Sequence, residues 1–198
     1  MESGQTTLNI ALIHHPVINR RGEIIGSAVT NLDIHDIARM ARTYGVARYY
    51  IVTPYQDQQH LVQELLEHWL IGHGATYNPA RKEALEIVQM ENSLDDVFED
   101  MEGRYEKARL TVSTTAVDGK SCTTYSEMRE KLAKRVPMLL LFGTAHGLAE
   151  EVFSRSEQIL PPIDGGNNYN HLSVRSAASI IIDRLLGMRE NVENGSYA

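Results

Sequence analysis

The chain has 198 residues, 42% of them hydrophobic, with 26 acidic side chains against 19 Lys and Arg and a formal charge of −7. That length supports one domain, or two small ones, with a sizeable core. The acidic balance excludes nucleic-acid binding through a broad basic surface, so any such contact has to be local or lie in a groove shared between subunits.

The opening MESGQTTLNIALIHH lacks a charged-then-apolar leader pattern, and no apolar run approaches membrane-spanning length. A single cysteine, Cys122, allows no intrachain disulfide and no Cys-based zinc site. A soluble protein of the reducing cytoplasm, without membrane contact, is expected. Apolar runs at 8–14, 47–53, 85–90, 109–116 and 137–143, with a very short sixth at 158–163, read as strands. Helical patterns lie between them at 33–44, 58–71, 93–107 and 125–135, and a last one runs over 173–188. Strands apolar throughout and alternating with helices predict an α/β fold with a mostly parallel sheet covered on both faces. No linker divides the chain, so residues 1–198 are taken as one domain, with the tail 190–198 frayed.

In such sheets ligands bind beyond the carboxyl ends of the strands. The loop after the first strand, 14–31, has no GxGxxG, and neither GxxxxGK[ST] nor GxSxG occurs anywhere. Nucleotide cofactors held in the ordinary dinucleotide manner, phosphate-loop enzymes and nucleophile-elbow hydrolases are thereby excluded. His14, His15, Asp33, His35 and Asp36 are metal-ligand types. HxxxH and HExxH spacing is missing, however, and His35 and Asp36 are neighbours that point to different faces of a helix. Caps and hydrogen bonds anchoring a long loop account for them better, and no metal site is assigned.

The strand at 137–143 ends in Gly143-Thr-Ala-His-Gly147, where glycines permit positive φ and close approach to the backbone. The alternative is a plain strand-to-helix turn capped by Thr144. Residues 160–188, LPPIDGGNNYNHLSVRSAASIIIDRLLGM, place a polar irregular segment before an apolar helix. Ser173 suits its N-cap, yet Arg175 sits in the first turn, where the helix dipole disfavours a cation. An anionic partner is expected there, a carboxylate of the protein or of a ligand. Val174, Ala177, Ala178, Ile181 and Leu185 make one apolar face, and Ile180 and Ile182 widen it, which hints at a subunit interface.

Together, LLLFGTAHGL and LPPIDGGNNYNHLSVRSAASIIIDRLLG resemble the two C-terminal motifs of the SPOUT superfamily of RNA methyltransferases: a strand ending in an FG.E..GL-like loop, then N.LNVS.A..I..Y opening the last helix. The likeness extends through IHHPVINRRGEIIGSAVTNLDIHDIARMARTYGVARYYIVTP and HWLIGHGATYNPARKEALEIV, to a small bacterial branch. That branch is similar to the tRNA guanine-N1-methyltransferase type and is sometimes fused to it. The resemblance implies an α/β fold with a C-terminal trefoil knot, a homodimer, and S-adenosylmethionine (SAM) bound bent within the knot loops. The cofactor contacts it implies are Ser113, Thr114, Thr115 and Ala116; Phe142, Gly143, Thr144, Ala145, His146 and Gly147; and Leu160, Pro162, Ile163, Asn170, His171, Leu172, Val174 and Ala177. Where many members carry an acidic residue, this chain has Thr144-Ala145-His146, and His171 and Arg175 replace smaller residues.

The ribose-methylating branch uses an Arg six residues before a Gly, a spacing that Arg39 and Gly45 keep. The upstream Asn of that branch falls on Asp33, with Asn31 two residues earlier. Asp33, His35, Asp36 and Arg39 are therefore the catalytic candidates. Arg20 and Arg21, with Arg81 and Lys82, are the local basic pairs available to RNA phosphates. Three readings follow: a SAM-dependent methyltransferase of tRNA or rRNA; a non-catalytic cofactor-binding module for dimerisation or RNA docking; and a metal-dependent hydrolase using the His/Asp cluster.

Overall fold

The structure is a computed structural model that describes residues 6–117, 122–167 and 169–188; the tail 190–198 lies outside them. Six parallel strands form its sheet: β1 (Leu8–Ile13), β4 (Arg48–Val52), β5 (Val88–Glu91), β6 (Leu110–Thr114), β7 (Met138–Gly143) and β8 (Gln158–Leu160). Their order across the sheet is β5-β4-β1-β7-β6-β8. A separate two-stranded hairpin, β2 (Val17–Ile18) and β3 (Ile24–Ile25), follows β1. The helices are α1 (Asn31–Thr43), α2 (Gln56–Leu70), α3 (His73–Tyr77), α4 (Pro79–Leu85), α5 (Leu94–Arg104), α6 (Tyr125–Ala133), α7 (Glu150–Phe153) and α8 (Val174–Leu186).

All six residues of β1 are buried, because alternate side chains enter two different cores. Ile10 and Leu12 join Tyr49, Leu140 and Phe142 beneath α1, α2, α4 and α8. Ala11 and Ile13 join Tyr50, Leu139 and Leu141 on the other face, beneath α5 and α7. This two-sided cover is what strands apolar at every position require.

The apolar runs locate the strands closely, with informative exceptions. The run 85–90 starts too early: Leu85 closes α4, and the strand begins at Val88. Asn78 caps α4 and Pro79 occupies its first turn, where a proline costs no hydrogen bond. The helix expected at 93–107 ends at Arg104, since Tyr105 turns extended. The sixth strand stops at Leu160 because Pro161 and Pro162 cannot donate to a ladder. The hairpin, α3, α4 and α7 were not anticipated. Among the described residues no helix is long and apolar enough to cross a membrane.

The chain places β4 and β5 on one side of β1, then β7 and β6 on the other. The direction of winding therefore reverses beside β1, and a crevice opens at the carboxyl ends there.

Candidate functional site

A cleft of about 1010 Å³ occupies that crevice. The loop after β7 makes its floor. Thr144 Oγ1 donates to the Ile13 carbonyl at 3.0 Å, tying the tip of β7 to the tip of β1. His146 N–H donates to the Ile18 carbonyl and Ile18 N–H to the Gly147 carbonyl, both at 3.0 Å, so the loop is zipped to the hairpin. Within the loop, Gly147 adopts φ 116° and Ala145 φ 51°. A β-carbon on Gly143 would lie 2.6 Å from Leu148 N and 2.9 Å from Gly147 C. Gly143 is thus required by the return of the loop onto itself. Gly147 lines the cleft and a β-carbon there would meet nothing within 4 Å, so its side of the loop is open.

The opposite wall is the segment leading into α8. Asn170 Nδ2 donates to the Ala116 carbonyl at 3.0 Å, joining this segment to the loop after β6. Cofactor candidates 114–116, 142–147, Ile163, 170–172, Val174 and Ala177 all line the cleft. Three candidates do not. Ser113 alternates to the far face of β6, is fully buried, and shares a hydrogen bond with Ser156. Leu160 is buried in the core, and Pro162 lies outside the lining, which the chain enters at Ile163. Ile18, Ile24, Ser27 and Ala28, from the hairpin and the irregular segment leaving it, also line the walls without having been anticipated.

Of the four catalytic candidates, only Asp33 faces the cleft. Its Oδ1 accepts from Arg175 Nη1 at 2.7 Å and its Oδ2 from the Thr30 hydroxyl at 2.6 Å. Arg175 also approaches Asp36 at 3.5 Å. The first-turn arginine of α8 therefore has its anionic partners in the first turns of α1, as the dipole mismatch requires. His35 turns away from the cleft and packs edge-on against Trp69, and Arg39 is exposed outside the lining. The helical repeat separates them from Asp33: residues two and six positions on cannot share its face.

Arg20 and Arg21 are exposed at the hairpin tip, which Gly22 turns with φ 79° beside the cleft. Arg81 instead stacks over Trp69 at 4.5 Å and is half-buried, as is Lys82 beside it. Among the described residues no group of three or more His, Cys, Asp or Glu is placed to hold a metal ion.

His14, fully buried at the end of β1, was weighed from sequence as a metal-ligand type and read as a loop anchor. Its Nδ1 lies 3.0 Å from Ser27 Oγ, which lies 2.5 Å from Thr144 Oγ1. Burial pushes His14 below the usual imidazole value of 6.5, against the opposing pull of Asp33. His35 is lowered too, by burial and then by Arg81. The unfolded chain takes up protons that these rings resist, so the stability they contribute is complete above pH 6.5 and is lost as pH falls below it. The urea midpoint is expected to fall from pH 6.5 towards about pH 5, and to fall less in His14→Gln.

The sequence profile of a family described as SAM-dependent RNA methyltransferase matches residues 7–187. A tRNA (guanine-N(1)-)-methyltransferase of Oleidesulfovibrio alaskensis is 46% identical over 180 residues, which are 91% of this chain and 42% of that protein. An uncharacterized protein of Aquifex aeolicus is 40% identical over 177 residues, 89% of this chain and 86% of its own. The chain thus spans under half the length of the named methyltransferase it matches. Among solved structures, a putative methylase family protein from Neisseria gonorrhoeae superposes with a TM-score of 0.60 at 16% identity, covering 94% of this chain and 84% of that one. The SpoU methyltransferase AviRb from Streptomyces viridochromogenes, in complex with AdoMet, gives 0.55 at 15%, covering 92% and 57%. At such identities these structures are alike in fold alone. With the profile matched along nearly its whole length, the chain belongs to the SAM-dependent RNA methyltransferase family.

Proposed function

We propose that residues 1–198 form one methyltransferase domain that binds SAM in the cleft and methylates RNA, of the tRNA or rRNA class, in the cytoplasm. The observation that carries the site is the cleft at the ends of β1, β6 and β7, where the motif loops meet. Its residues suit the cofactor. Phe142, Ile163, Leu172, Val174 and Ala177 offer an apolar slot for an adenine ring. Asp33, Glu150 and Glu151 bring negative charge for a sulfonium and an ammonium group. At about 1010 Å³ the cleft reaches the upper end of the usual 300–1,000 Å³ for small-molecule sites, leaving room for a nucleotide beside the cofactor.

SAM, when bound, supplies an electrophilic methyl group; the chain's own residues supply position. The loop 143–147 and the segment 170–174 hold the cofactor between them, and Asp33 and Arg175 brace the two helices behind it. Arg20 and Arg21 are the cations placed to meet RNA phosphates beside the mouth. A trefoil path for the C-terminal segment is supported by its course: after the edge strand β8 the chain returns past β6 to pack α8 on α1 and α6. A homodimer is supported by Leu32, an apolar side chain 59% exposed in the first turn of α1.

Asn170→Ala removes the bond that joins the two walls. A net loss of about 0.5–1.5 kcal/mol corresponds to SAM affinity roughly two- to twelvefold weaker, read by calorimetry, with little change in thermal stability. The function itself is tested with labelled SAM and total RNA from cells lacking this protein. Label in a tRNA or rRNA fraction supports the reading. Saturable SAM binding without transfer to any fraction favours the non-catalytic module instead.

A further inference from the structure

Methylation of an N–H or O–H group leaves a proton to be removed, and of the four catalytic candidates only Asp33 faces the cleft, already paired with Arg175. Both oxygens of Asp33 already accept hydrogen bonds, from Arg175 and Thr30. Asp36 lies half-exposed beside Arg175, His35 is turned onto Trp69, and Arg39 is a cation.

His14 is placed differently. Its ring is fully buried directly behind the cleft wall, and its Nε2 has no hydrogen-bond partner among the described residues. A buried polar atom left unpaired is unfavourable, which calls for an explanation in what the ring does. Its Nδ1 faces Ser27 Oγ at 3.0 Å, and Ser27 lines the cleft. Either hydroxyl of the Ser27–Thr144 pair can be the donor, and when Thr144 donates to Ser27 Oγ the Ser27 hydrogen is left for His14 Nδ1. The charge of the Asp33 carboxylate on α1 and the backbone at Ser27 and Ala28 favour a proton on the ring, against its burial.

We infer that His14 takes up the proton released by methyl transfer, through the hydroxyl of Ser27, and is thus a positioning residue behind the wall of the cleft. This rests on the RNA methyltransferase reading above. Methyl transfer would join the nucleophile's lone pair to the methyl carbon and break the carbon–sulfur bond, whose electron pair stays with sulfur, so one excess proton would be left on the methylated atom. That proton passes to Ser27 Oγ while the proton of Ser27 passes to His14 Nδ1. The resulting imidazolium is favoured by the charge of Asp33, and returns its proton to solvent by the same route after product leaves.

The test combines ¹⁵N NMR of the histidine-labelled full chain with single-turnover transfer to total RNA, both from about pH 5 to pH 8. The ring signal missing from His14→Gln is expected to be neutral at the alkaline end and to protonate below 6.5. The transfer rate is expected to fall with the same midpoint. Ser27→Ala, which keeps His14, is expected to lose about 10²-fold in rate together with that acid limb, at unchanged SAM affinity, and Ser27→Thr to restore both. The inference is overturned if the ring stays neutral across the range or is cationic throughout. It is equally overturned if Ser27→Ala keeps its rate and its acid limb. A wild-type chain that methylates no RNA fraction removes the underlying reading, which is a separate and recognisable result.

Discussion

Gly143→Val is expected to unfold at a markedly lower temperature and to lose SAM binding. The new β-carbon would sit 2.6 Å from Leu148 N, a backbone atom of a loop already fastened to the hairpin by two hydrogen bonds. Neither partner is a flexible side-chain end, so the loop has to open. Overpacking of this kind costs about 1–3 kcal/mol, and a backbone clash belongs at the top of that range. For a chain of this size about 3 kcal/mol corresponds to roughly 6–12 °C in the unfolding midpoint. Gly147→Ala separates the causes. Its β-carbon meets nothing, so only the φ of 116° is strained, and a loss of about 1–2 kcal/mol is expected. Any fall in SAM affinity in that variant reports on the cleft itself.

Arg175→Met is expected to cost about 2 kcal/mol, because the Asp33 side chain, only 8% exposed, would keep its charge and lose its cation. Breaking a fully buried pair costs 3–5 kcal/mol; the 31% exposure of Arg175 and the Thr30 hydroxyl on Asp33 reduce that figure here. In the double variant Asp33→Asn with Arg175→Met, a neutral amide replaces the stranded carboxylate. The double variant is therefore expected to be more stable than Arg175→Met alone. Urea unfolding followed by the fluorescence of Trp69, the single tryptophan, measures each corner of the cycle. Additive losses would mean that the pair contributes nothing to holding α8 on α1.

What could be read from the sequence follows from the range of the interactions involved. Runs such as NIALI and MLLLF need only local apolarity to be recognised as strands buried on both faces, and β1 and β7 fall where those runs lie. The crevice was reachable through the rule that ligands bind beyond the strand ends, and Gly143–Gly147 lies there. Strand order was not reachable, since nothing local says that β7 inserts between β1 and β6. The misplacement of Arg175 in a first turn was visible, but its partner lies 142 residues away and appears only when α8 folds onto α1. Gly143 was picked out for close approach to the backbone, and the clash with the loop's own return is a further reason that the sequence did not show. His14 looked like an ordinary loop anchor. Its significance depends on Ser27, 13 residues on, and on Thr144, which is 117 residues beyond Ser27. The hairpin β2–β3 did leave a signal in VINRRGEII, two apolar pairs around a glycine turn, but each strand is only two residues long. Arg81 shows the opposite limit: a cation adjacent to a lysine reads as a surface patch, yet it is spent on the face of Trp69.

The central claim is that the cleft at the ends of β1, β6 and β7 is the SAM site, and calorimetric titration of the purified full chain with SAM tests it most directly. The account predicts saturable binding of one SAM per chain, weakened in Asn170→Ala and absent in Gly143→Val. No heat of binding at millimolar SAM, or binding that survives intact in Gly143→Val, would contradict it.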